Sequence, residues 1–89
     1  MTDRPLKLRE GQAAWREVEG EIVGVALARG EYFAVTPSGA LLWQALADGT
    51  TRDALASRLV ERFGIDAGVA ARDVDAFVAS LDRWDLLEP

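Results

Sequence analysis

The chain has 89 residues, 49% of them apolar, and a formal net charge of −5. That size and apolar share fit one domain with a modest core and leave little room for a second. Cysteine and histidine are both absent, which excludes disulfides, thiolate nucleophiles, the usual zinc sites and Ser-His pairs, and argues against an enzyme.

Residues 1 to 12 show no sustained periodicity, contain Pro5 and end in Glu10-Gly11-Gln12, the pattern of an N-terminal tail. No stretch of the chain approaches the roughly 20 consecutive apolar residues of a membrane span. The opening Met-Thr-Asp-Arg-Pro-Leu-Lys-Leu also lacks the apolar run of a signal peptide. A cytoplasmic protein is expected, with its domain over residues 13–89.

From Ala13 the pattern alternates through Trp15 to Val18, then breaks at Glu19-Gly20 and resumes from Glu21 to Leu27. Two strands joined by a tight turn account for it. Ala28-Arg29-Gly30 forms a short loop, and Glu31-Tyr32-Phe33-Ala34-Val35 follows as a third strand. Two-residue periodicity puts Phe33 and Val35 on the face toward the helices and Tyr32 and Ala34 on the other. Gly24, inside the second strand, suits a bulge or a close backbone approach.

Thr36-Pro37 opens a helix, the Thr hydroxyl accepting an orphan N–H and Pro occupying the first helical position. Its apolar stripe is Ala40, Leu42, Trp43 and Leu46, and Asp48-Gly49 stops it. Thr51 caps a second helix carrying Leu55, Leu59 and Phe63 and ending at Gly64. Asp66 introduces the longest helix, in which Ala70, Val74, Phe77, Leu81 and Trp84 recur every three or four residues. Leu86 and Leu87 read as an apolar tail. The expected fold is therefore α+β: a three-stranded antiparallel β-meander followed by three helices, winged helix-turn-helix-like in outline.

Catalytic constellations fail on inspection. Ser38, Ser57 and Ser80 lack a His, and the one lysine, Lys7, lies in the expected tail. The carboxylates fall at caps, turns and exposed helix positions with no metal-binding spacing, so neither a metal nor a cofactor is expected. Trp15, Trp43 and Trp84 fit core positions before ligand stacking. A nucleic-acid reading suits the outline and not the charge. From Asp66 onward, Asp66, Asp73, Asp75, Asp82, Asp85 and Glu88 face only Arg72 and Arg83, which deprives a recognition helix of phosphate attraction.

The ordered pattern resembles the PqqD-like proteins, peptide-recognition domains that serve the biosynthesis of ribosomally made, modified peptides. The similarity spans roughly Ala13 to Leu87. It rests on the hairpin and on Tyr32-Phe33-Ala34-Val35-Thr36-Pro37-Ser38-Gly39-Ala40-Leu41-Leu42-Trp43, which match the family's strand, Asn-x-Thr/Ser-Gly-like turn and Ile/Leu-Trp helix. Gly49-Thr50-Thr51, Leu55, Leu59, Arg62-Phe63-Gly64-Ile65-Asp66, Asp73-Val74, Phe77, Leu81 and Leu86-Leu87 continue it. Thr36 replaces a frequent Asn, and Asp85 a Gly that commonly precedes the closing Leu-Leu.

The resemblance implies a non-catalytic protein that binds the leader segment of a precursor peptide by β-strand addition. The leader would pair with strand 3 and lie in a cleft against the last helix. Strand 3 is an edge in any simple meander. The implied peptide-binding residues are Glu31, Tyr32, Phe33, Ala34 and Val35 on the strand, with Val69, Arg72, Asp73, Ala76, Phe77 and Ser80 on the helix. The implied partner is a separate enzyme, with the leader peptidase of a lasso-peptide pathway favoured over a radical SAM enzyme served by a PqqD-type peptide chaperone. A winged-helix nucleic-acid-binding protein is the alternative from another class. A free edge is also a self-pairing hazard, so a monomer or weak dimer is expected.

Overall fold

A computed structural model describes residues 4–88; the first three residues of the expected tail, and Pro89, lie outside it. Three strands, β1 (Ala13–Val18), β2 (Glu21–Ala26) and β3 (Glu31–Val35), precede three helices, α1 (Pro37–Asp48), α2 (Arg52–Phe63) and α3 (Ala67–Arg83). The sheet is an antiparallel meander in the order β1-β2-β3, so β3 is an edge. Glu19 (φ 53°) and Gly20 (φ 82°) form the two-residue loop between the paired Val18 and Glu21. Positive φ at both positions is what a right-twisted hairpin requires.

Ile22 pairs with Val35, and Gly24 lies between Trp15 and Phe33 across the sheet. Ile22, Gly24, Phe33 and Val35 therefore share the face turned to the helices. A Cβ on Gly24 would stand 2.6 Å from the Ala14 carbonyl oxygen and 2.8 Å from Phe33 Cζ. The close approach expected at this glycine thus lets Phe33 lie flat over the central strand.

The helices begin where the sequence places them, though not always by the expected device. Thr51 Oγ1 accepts from the Ala54 N–H at 3.2 Å, and Asp66 Oδ2 accepts from Gly68 and Val69; such caps are each worth about 1 kcal/mol. At α1, Thr36 makes no side-chain cap, and its hydroxyl instead lies 3.4 Å from Ser38 Oγ. Pro37 at the first helical position is what starts that helix.

The core gathers Ile22 from the sheet, Trp43 and Leu46 from α1, Leu55 from α2 and Val74 and Val78 from α3. Burying a side chain of that size contributes about 1.5–3 kcal/mol. Three expectations are corrected here. Phe63 and Trp15, read as core, are 44% and 39% exposed: Phe63 is the last residue of α2, and Trp15 lies on the edge strand β1, where its ring meets Trp43 on one side only. Leu86 and Leu87, read as a tail, are buried. They are held by the N-terminal segment, which was expected to be free: Leu8 bridges Leu87, Leu6 bridges Thr50, and Arg9 pairs with Asp85 at 2.9 Å. Leu8 is itself buried in the core. Asp85 takes up φ 58° to turn the chain into that bridge, a conformation Asp tolerates better than most residues.

Candidate functional site: a cleft beside the free strand edge

Because α3 packs on α2 and stands off from β3, a cleft of about 780 Å³ opens between them. That volume lies within the range of ligand-binding pockets. Phe33, Ala34 and Val35 form one wall, and Asp73, Ala76, Phe77, Ser80 and Leu81 the other. Gly39, Leu42 and Trp43 of α1 supply the floor, while Leu59, Phe63 and Ile65 extend the cleft beneath the start of α3.

Aromatic side chains set its shape. Phe33 lies 5.1 Å from the Trp43 ring and meets Trp84 edge to face at 6.2 Å. Over Trp84, the Arg29 guanidinium stacks at 4.8 Å while its Nε donates to Glu31 at 3.1 Å. The β2–β3 loop is thereby tied across one end of the cleft. At the other end Gly39 lies against Val35 and Phe77. Trp84 thus neighbours Phe33 while Phe77 neighbours the end of β3, so β3 and α3 run in opposite senses along the cleft.

Gly39 matters through what it lacks. A Cβ there would overlap Val35 Cγ1 and stand 3.2 Å from Phe77 Cε1, so only glycine lets both side chains rest on α1.

Among the described residues, Asp73 is the one ionisable side chain lining the cleft. It is eleven residues from Trp84, about 16 Å along the helix at 1.5 Å per residue. Ser80 Oγ donates to the Ala76 carbonyl at 3.1 Å and accepts from Arg83 Nη2, which leaves it as an acceptor toward the cleft. Trp43 Nε1 is buried without an acceptor among the described residues. Apart from Thr36 and Ser38 at the start of α1, the rest is apolar surface beside an unpaired backbone edge. Such an arrangement can hold an extended peptide, with main-chain hydrogen bonds along β3 and alternate side chains in the cleft.

Of the residues expected at the site, Phe33, Ala34, Val35, Asp73, Ala76, Phe77 and Ser80 line the cleft. Glu31, Tyr32, Val69 and Arg72 do not. Tyr32 points away from the helices and is 87% exposed, Glu31 is engaged with Arg29, and Val69 and Arg72 sit on the outer part of α3. Reading the sequence missed the floor and the extension: Gly39, Leu42, Trp43, Leu59, Phe63, Ile65 and Trp84. Helical periodicity assigns most of these to the core, and only the gap between β3 and α3 turns them into walls.

Comparison with known proteins follows the same lines. The family model for coenzyme PQQ synthesis protein D (PqqD) matches residues 21–87. No curated protein matches the chain. Among solved structures, TbiB1 in complex with the TbiA(beta) leader peptide superposes with a TM-score of 0.83 at 23% identity, covering 92% of this chain and 94% of that one. Lasso peptide synthetase B1 complexed with the leader peptide gives 0.80 at 26% identity, covering 94% and 98%.

Proposed function

The chain belongs to the PqqD family, and from that premise we propose that it is a non-catalytic recognition protein that captures the leader segment of a ribosomally made precursor peptide. The leader adds as a strand to β3 and packs its side chains into the cleft against α3. The observation that carries this reading is the conjunction of a free β3 edge with an apolar cleft directly beside it.

Energetics assign the two halves of the site different tasks. Four or five added backbone hydrogen bonds, at a net ~0.5–1.5 kcal/mol each, total only a few kcal/mol. Ordering the peptide costs a comparable amount. Micromolar binding needs about −8 kcal/mol, so the apolar walls formed by Phe33, Leu42, Phe77 and Trp84 supply most of the net affinity. The strand edge fixes register, and the cleft selects sequence.

The bound leader is then presented to a separate enzyme. A lasso-peptide leader peptidase is the favoured recipient, since both solved structures above hold leader peptides and one is named as a lasso peptide synthetase component. The PqqD family match equally supports delivery to a radical SAM enzyme of quinone-cofactor synthesis. Genes adjoining this one distinguish the two.

The test is a titration with a synthetic leader from the neighbouring precursor gene, followed by calorimetry and by amide NMR. Saturable binding with shifts concentrated in Glu31 to Val35 and across Asp73 to Trp84 is expected. Shifts confined to the helices would refute strand addition, and an absence of binding would refute the function.

A further inference from the structure

The sheet has a second face, and its composition is wrong for one exposed to water. All three helices pack on the side of Ile22 and Phe33, so the alternate positions point outward: Ala14, Arg16 and Val18 on β1, Glu21, Val23 and Val25 on β2, Tyr32 and Ala34 on β3. An antiparallel sheet with one solvated face ordinarily carries polar residues there. Here Val25 sits between its partners Ala14 and Tyr32, and Val23 between Arg16 and Ala34. Tyr32 is 87% exposed. An exposed Tyr and an Arg over small apolar neighbours are closer to the composition of a protein-binding patch than to that of a solvated surface.

We infer that this outer sheet face is the docking surface for the enzyme that receives the bound peptide, and that the enzyme meets it with an apolar patch bearing a carboxylate opposite Arg16. The inference rests on the peptide-binding function proposed above. Charge supports the carboxylate. Arg16 sits in the middle of β1 and forms no salt bridge among the described residues, in a chain whose net charge is −5. Glu21, the acidic residue on this face, stands at its rim beside the hairpin turn.

Area favours an occupant that also touches the bound peptide. Strands of six, six and five residues, at ~3.3 Å per residue and ~4.8 Å apart, give a face on the order of 300 Å². Any stable protein interface, with a second copy or with an enzyme, needs about 800 Å² from each partner, so the bare face alone is too small for either. A peptide strand added to β3 places every second side chain on this same face and enlarges it by about a third. A partner docking here therefore touches protein and peptide together and prefers the loaded form. That is the property a recipient enzyme needs.

The test uses Val25→Lys and Arg16→Glu, both remote from the cleft, with the purified processing enzyme encoded beside this chain's gene. Enzyme binding is measured by sedimentation and calorimetry, with and without the synthetic leader; leader binding and thermal melting of each variant are measured in parallel. Wild-type protein is expected to bind the enzyme more tightly when loaded. Both variants should weaken that binding by at least about tenfold, keep leader affinity within about twofold and melt as folded proteins. Unchanged enzyme binding in both variants overturns the inference, as does a failure of the loaded wild type to bind at all. Dimers of the wild type that the variants dissolve would overturn it in favour of a second copy. If the wild type fails to bind leader, the proposed function falls, and the face is then judged on the leader-free enzyme titration alone.

Discussion

Replacing Gly39 by Ala should damage the peptide cleft while leaving the fold intact. Gly39 is the third residue of α1, and the added methyl would overlap Val35 Cγ1 and stand 3.2 Å from Phe77 Cε1. Val35 is β-branched and stiff about χ1, so relief requires the end of β3 or the Phe77 ring to move outward into the cleft. Overpacking of this kind costs ~1–3 kcal/mol. The gain in helix propensity from Gly to Ala offsets at most about 1 kcal/mol, and less in a first turn. A net loss of about 1–2 kcal/mol follows, visible as a melting temperature lowered by roughly 5–10 °C in a domain of this size. Since both displaced side chains line the cleft, leader affinity should fall by about tenfold, or ~1.4 kcal/mol. Val35→Ala removes the struck methyl, so the double variant should recover melting temperature beyond the sum of the single changes. Thermal melts and calorimetric leader titrations of the three variants test this. Full leader affinity in a folded, less stable Gly39→Ala protein would refute the assignment of this end of the cleft to peptide binding.

Three further outcomes are expected. Gly24→Ala drives a Cβ against the Ala14 carbonyl oxygen at 2.6 Å and Phe33 Cζ at 2.8 Å. Backbone yields less readily than a side-chain tip, so a destabilisation of ~2–3 kcal/mol should appear in the urea midpoint; a wild-type midpoint would contradict the β1–β2 register. Leu8→Ala should cost ~2–5 kcal/mol, as for other buried leucines, whereas a free tail would make it silent in the same assay. Leader binding should change by less than about twofold between about 50 and about 500 mM salt, because among the described residues Asp73 is the one ionisable side chain lining the cleft. A steep calorimetric salt dependence would show that exposed charges such as Arg72 dominate instead.

Much of this fold was legible in the sequence because its signals are local. Glu19-Gly20 dictates a tight hairpin turn, Thr51 and Asp66 cap helices through their own nearest N–H groups, and Gly64 ends α2 at φ 65°. Two-residue alternation was enough to turn Phe33 inward and Tyr32 outward. The free edge of β3 followed from meander order alone. Only Thr36 broke the local rule, since Pro37 sufficed to start α1 and left the hydroxyl to Ser38.

What needed tertiary structure depends on which layers meet and where they end. Periodicity marks Leu42, Trp43, Leu59 and Trp84 as apolar positions but does not distinguish a side chain facing another helix from one facing a gap. The stand-off of α3 from β3 makes that distinction and creates the cleft. Likewise no local pattern foretold that Leu8 would bridge Leu87, or that Phe63 would lie beyond the core's edge. The sequence determined the elements and the free strand edge through neighbours a few residues apart. Whether that edge borders a pocket was decided by contacts between residues tens of positions apart, which only packing brings together.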